Sequence, residues 1–67
     1  MHLHYFADYE AYEGGRAILW GQVTHSVEAE REDALDPAEV VAALRRRAAE
    51  AHGVEPRQVR LCHLARL

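Results

Sequence analysis

The chain has 67 residues, a formal net charge of −3 at pH 7, one cysteine and no lysine. A chain of this size supports one domain and one modest core, because it buries only about 60% of its extended surface on folding, and a deep substrate pocket would consume much of that core. One cysteine excludes an internal disulfide, and net negative charge opposes a polyphosphate ligand as a whole. No stretch approaches the roughly eighteen apolar residues of a membrane span, and the first residues lack the basic region and apolar run of a signal peptide. The expected setting is the cytoplasm, with no membrane partner.

From Leu3 to Ala11 the odd positions are apolar or aromatic, while His2, His4, Asp8 and Glu10 take even ones. Period two of this kind predicts a half-buried strand. Phe6 breaks the alternation and places an aromatic ring on the wetter face. The stretch EGGR supplies a reversal, and AILWGQVTHSV resumes with β-branched and aromatic residues, so residues 3–27 are expected to form a hairpin. Two registers are open. A two-residue turn at Gly14–Gly15 sets Tyr9 across from Trp20; a three-residue loop sets Tyr9 across from Gly21. A slip of one residue turns Trp20 to the other face, and a bulge at Gly21 would reconcile the two by sending Trp20 inward near the turn and Val23 and Val27 inward beyond it.

EAEREDALDPAEV is a charged connector that ends in a helix start. Asp36 caps, Pro37 fits the first helical position, and Glu39 lies three residues after the cap. The helix is expected over residues 37–52, with Val40, Val41, Leu44, Ala48 and Ala51 as its apolar stripe and Gly53 ending it in a left-handed conformation. Val59, Leu61, His63, Ala65 and Leu67 then alternate with polar neighbours and with Cys62 and Leu64, predicting a third strand over 58–66 with the odd residues inward. The fold class is α+β, with order β-β-α-β. A right-handed crossover puts the third strand beside the first, in an antiparallel sheet of order 2-1-3 with the helix on one face. The other face then stays uncovered, and Phe6, Tyr12, Cys62, Leu64 and either Ile18 or Trp20 are candidates for it.

His2 and His4 share a strand face and can present two imidazoles to one ion. A tetrahedral site usually takes four ligands, and no paired cysteines or helical His-Glu-x-x-His complete the set, so no metal and no cofactor is expected. Cys62 and His63 are adjacent in a strand and face opposite sides, which removes a direct nucleophile–base pair. His4 is the one histidine the topology allows beside Cys62, but no orienting third group goes with it, so no catalytic residue is assigned. His25 and His63 fall on the inward parity and are expected to be neutral and hydrogen-bonded, with Tyr5 or a backbone carbonyl as partner. His52 sits where a helix dipole favours its charge.

Arg45, Arg46 and Arg47 fan around the helix, and with Arg60 of the third strand they define an alternative, nucleic-acid-binding surface. Asp8, Glu10 and Glu13 with Tyr9 and Tyr12 form an acidic, aromatic hairpin tip suited to a basic protein surface. Arginine and alanine richness without lysine fits a high-GC bacterial or phage source. In its size, its β-β-α-β order and its compact acidic character, the whole chain resembles small accessory proteins of bacteriophages and mobile elements, some anti-CRISPR proteins among them. That resemblance is one of architecture and transfers no residue roles. It implies stoichiometric binding to a bacterial host protein complex without catalysis. Phe6, Asp8, Glu10, Tyr12 and Trp20 are the expected protein-binding residues, with homodimerisation through the same exposed sheet face as a further expectation; Arg45, Arg46 and Arg60 carry the nucleic-acid alternative.

Overall fold

The computed structural model describes residues 1–31 and 34–67; Glu32 and Asp33 of the charged connector lie outside the described residues. Strand β1 spans His2–Glu13, β2 spans Arg16–Glu28, helix α1 spans Pro37–His52 and β3 spans Val59–Arg66, preceded by a 3₁₀ turn at Pro56–Gln58. The sheet has three antiparallel strands in the order β2-β1-β3, as the crossover argument requires. The molecule measures 41 × 17 × 16 Å. Its length comes from the hairpin: twelve residues at about 3.3 Å each reach roughly 40 Å, whereas a sixteen-residue helix reaches only about 24 Å.

The turn is the two-residue kind. Gly14 and Gly15 have φ of 59° and 80°, the pair of positive values that matches the right-handed twist of the flanking strands. The register nevertheless shifts by one residue just beyond it. Tyr12 pairs with Ala17 and Ala11 with Leu19, so Ile18 bulges without a partner. The bulge therefore falls at Ile18, not at Gly21, and its effect on Trp20 is opposite to the expected one: Trp20 pairs with Glu10 and points away from the helix. Tyr9 decides the location. It faces Gly21 across the ladder, and a Cβ on Gly21 would lie 2.5 Å from the Tyr9 hydroxyl oxygen and 2.7 Å from its Cζ. Only a glycine admits that ring, so the slip must be complete before Gly21 is reached.

A second bulge corrects the expected parity of β3. Leu61 pairs with Tyr9 and His63 with Asp8, leaving Cys62 unpaired. Val59 and Leu61 face the helix as expected, but beyond Cys62 the faces exchange. Leu64 lies opposite Ala7 and joins Tyr5, Val40 and Val41 on the helix side, while His63 turns to the open face beside Asp8. One extra residue reverses every side chain that follows it.

The helix begins and ends as the sequence requires. Asp36 Oδ1 accepts the Ala38 N–H at 3.0 Å, and Gly53, with φ 67°, donates its N–H to the Ala49 carbonyl. The buried helical residues are Val40, Ala43, Leu44, Ala48 and Ala49. Val41 is only half-buried and Ala51 is exposed, so the stripe is rotated toward Ala43 and Ala49. Small residues line both surfaces, with Ala7 and Ala11 on β1 fully buried beneath the helix. Leu44 fills the resulting space together with Ala7 and Val40, flanked by Tyr5, Val23 and Leu61. Replacing Asp36 with alanine is expected to lower stability by about 1 kcal/mol through loss of the cap; an unchanged urea midpoint would show that the cap contributes nothing.

Candidate protein-binding face

The even residues of β1 project from the side of the sheet that carries no helix. From one end to the other these are His2, His4, Phe6, Asp8, Glu10 and Tyr12, and the ladders place their neighbours. Phe6 lies between Thr24 and Ala65, Asp8 between Gln22 and His63, and Glu10 between Trp20 and Arg60. The five residues expected to bind protein therefore share one face. Phe6 and Tyr12 are half-buried by these neighbours, whereas Trp20 is 65% exposed. The face is more polar than the sequence suggested, because the Cys62 bulge takes Leu64 to the helix side and brings His63 in its place.

The end of this face nearest the turn is held by a short polar chain. Tyr12 donates its hydroxyl hydrogen to Glu10 Oε2. That bond holds the Tyr12 phenol above its ordinary pKa, since ionisation would break it and set two anions side by side, while a hydrogen bond from Arg60 pulls in the opposite direction. The same contact with Tyr12 raises the Arg60 guanidinium above its usual range. Gln58 donates from Nε2 to the Tyr12 carbonyl at 3.1 Å, which ties the chain after the helix to the hairpin. Beside this cluster, Trp20, Asp8, Glu10, Gln22 and Cys62 line a shallow groove, an apolar plate edged by carboxylates.

The arginines of the nucleic-acid alternative do not converge. Arg45 and Arg46 line a groove on the helix with Pro56 and Arg57, whereas Arg60 sits on the opposite side of the sheet, engaged with Tyr12. At the far end of the open face the His2 and His4 rings stack with centroids 6.5 Å apart, and His4 Nδ1 is 2.6 Å from Ser26 Oγ. Among the described residues no group of three or more histidine, cysteine or carboxylate side chains is placed to hold a metal ion.

Besides His63, which the Cys62 bulge turns to the open face, two more histidines depart from expectation. His25 faces the helix side, but its Nδ1 is buried without a hydrogen-bond partner, beside a groove of about 330 Å³ that Asp36, Glu39 and Arg46 help to line. His25 pairs with Tyr5 through the backbone ladder only. His52 does more than sit in a dipole: its Nε2 lies 2.5 Å from the Tyr9 hydroxyl, with ring centroids 5.6 Å apart. This bond fastens the end of the helix to the central strand over Gly21. The sequence signal was the coincidence of a core tyrosine and a strand glycine, read there as a bulge, which becomes informative only once the register is known. No protein family, curated protein or solved structure matches this chain.

Proposed function

We propose that this chain is a small non-enzymatic interaction module that binds a protein complex of a bacterial host through the open face of its sheet, as phage and mobile-element accessory proteins do. The observation that carries this reading is Trp20, a large aromatic 65% exposed on a face that, among the described residues, no other element covers. An exposed indole on the same face as half-buried Phe6 and Tyr12 has the composition of an interface, where a few aromatics supply most of the binding energy. Asp8 and Glu10 set the charge of the matching surface: it is basic, and its complementarity governs the encounter rate more than the final affinity.

The test is affinity capture of the tagged chain from nuclease-treated host lysate, with wild type and Trp20→Ala side by side. Wild type is expected to retain one stoichiometric protein at high salt. Loss of a central aromatic costs about 2 kcal/mol or more, a weakening of roughly thirtyfold, and the exposed site leaves the fold within about 0.5 kcal/mol of wild type. Equal capture by both chains would remove the face from consideration. Separately, retention of added duplex or single-stranded nucleic acid by the purified chain at low salt, abolished by Arg46→Ala with Arg60→Ala, would transfer the function to the arginines.

A further inference from the structure

We infer that the shallow groove beside Trp20 receives an arginine side chain of a protein partner, its guanidinium laid on the indole and paired with the carboxylates of Asp8 and Glu10. This rests on the open face being the protein-binding face, and it adds the chemistry of the group that the face holds.

The ladders build the groove. Asp8 and Glu10 are two residues apart on β1, so both carboxylates project from the open face. Trp20 stands directly across from Glu10, and Gln22 directly across from Asp8. Side chains opposite one another in a sheet touch, and a long one also reaches its diagonal neighbour, which brings Trp20 to Asp8 as well. From the other side the bulged Cys62 of β3 adds its thiol to the lining. Trp20, Gln22 and Cys62 are exposed, and Asp8 and Glu10 are half-buried. Among the described residues the groove is thus lined by two carboxylates and an indole, with no cationic side chain.

The chain leaves that negative charge largely unanswered. Among the described residues the Asp8 carboxylate makes no hydrogen bond and no ion pair, and Tyr12 occupies one oxygen of Glu10. The same face shows what completes such a set. On the β3 side of Glu10 the chain supplies its own arginine: Arg60 lies across from Glu10 and engages Tyr12, so an aromatic ring, a carboxylate and a guanidinium stand together. On the β2 side the aromatic ring and two carboxylates are present without a cation, and the complementary charge has to come from another molecule.

A guanidinium answers both parts of the lining. Its plane is weakly hydrated and stacks on an indole within about 6 Å of the ring, while the N–H groups along its edge donate to carboxylates. A lysine ammonium has the charge but neither the plane nor the fork. The shape of the groove favours a projecting side chain over a free small molecule. A small-molecule pocket encloses roughly 70–90% of its ligand, which a shallow open groove cannot do, whereas a side chain is carried in on a larger docked surface.

The groove carries its own reporters, since Trp20 is the only tryptophan of the chain and Cys62 the only cysteine. The purified chain is titrated at low salt with an end-blocked Gly-Arg-Gly peptide, and with the same peptide carrying lysine or the neutral isostere citrulline. The arginine peptide is expected to change Trp20 fluorescence and slow Cys62 alkylation with a dissociation constant on the order of millimolar. The lysine peptide should bind about threefold more weakly, and the citrulline peptide should do neither at the same concentrations. Trp20→Leu, read by Cys62 alkylation, is expected to weaken the arginine peptide about fivefold, and Asp8→Asn, read by fluorescence, about threefold. Equal binding of the lysine or citrulline peptide would overturn the guanidinium as the occupant, as would indifference to both substitutions. Cys62 alkylation that slows with protein concentration alone would give the groove to a second copy and overturn it too. No host protein enters the titration, so the two claims separate. A partner captured through Trp20 while the arginine peptide fails to bind removes the arginine alone; peptide binding with no captured partner removes the host complex and leaves the ligand class standing.

Discussion

Replacing Leu44 with alanine is expected to remove about 2–5 kcal/mol of folding stability, by lost transfer energy and by the cavity left behind. Leu44 is fully buried, and its neighbours Ala7 and Val40 are too small or too constrained to close over the gap. A 67-residue chain has a total stability of only about 3–10 kcal/mol. The substitution therefore consumes a large share of the whole, and a substantial unfolded population is expected at ordinary temperature. Urea unfolding followed by far-ultraviolet circular dichroism measures it. A loss below 1 kcal/mol would mean that the helix and sheet collapse together when the side chain is shortened, so that the helix–sheet spacing is not set by Leu44.

A Gly21→Ala substitution should also destabilise, and here the sign matters more than the size. In an unobstructed strand, alanine in place of glycine is neutral or helpful, because glycine loses the most conformational freedom on folding. Opposite Tyr9 the new Cβ would stand 2.5 Å from the hydroxyl oxygen. The ring cannot swing aside freely, since it is packed with Ala48, Ala49 and Val59 and bonded to His52. The expected cost is about 1–3 kcal/mol, the usual scale of overpacking. Combining the change with Tyr9→Leu separates cause from coincidence: the pair should cost less than the sum of the single changes if the two side chains compete for one space. Strict additivity, or a more stable Gly21→Ala chain, would remove Tyr9 as the reason for the glycine.

These two sites also show which kinds of information were local. The helix was legible in the sequence at both ends, because Asp36, Pro37 and Gly53 act on backbone groups within a few residues of themselves. The hairpin was legible for the same reason: Gly14 and Gly15 satisfy the turn by their own conformations. The order 2-1-3 followed from the handedness of a crossover, a property of any twisted sheet. Leu44 could be named as a stripe residue by its spacing alone.

Facing within the strands was not local. Trp20, His63 and Leu64 each lie on the face opposite to one that parity favoured, and each lies beyond a bulged residue in its strand. Nothing in Ile18 or Cys62 announces a bulge. The bulges arise because the two outer strands must present Gly21, Val23, Leu61 and Leu64 to one helix at once, and a β-strand can reverse its facing only by carrying an extra residue. The Tyr9–His52 bond is of the same type, joining residues 43 positions apart that have no reason to be associated until the helix is laid across the sheet. The open face was therefore foreseeable as a place, and four of its five proposed binding residues as members, because β1 is continuous and its parity holds from end to end. The fifth, Trp20, sits on the bulged strand. Short-range rules act through backbone conformation and so determined the elements and their order, whereas the composition of the two faces depended on the register that packing imposed, and only the tertiary structure could decide it.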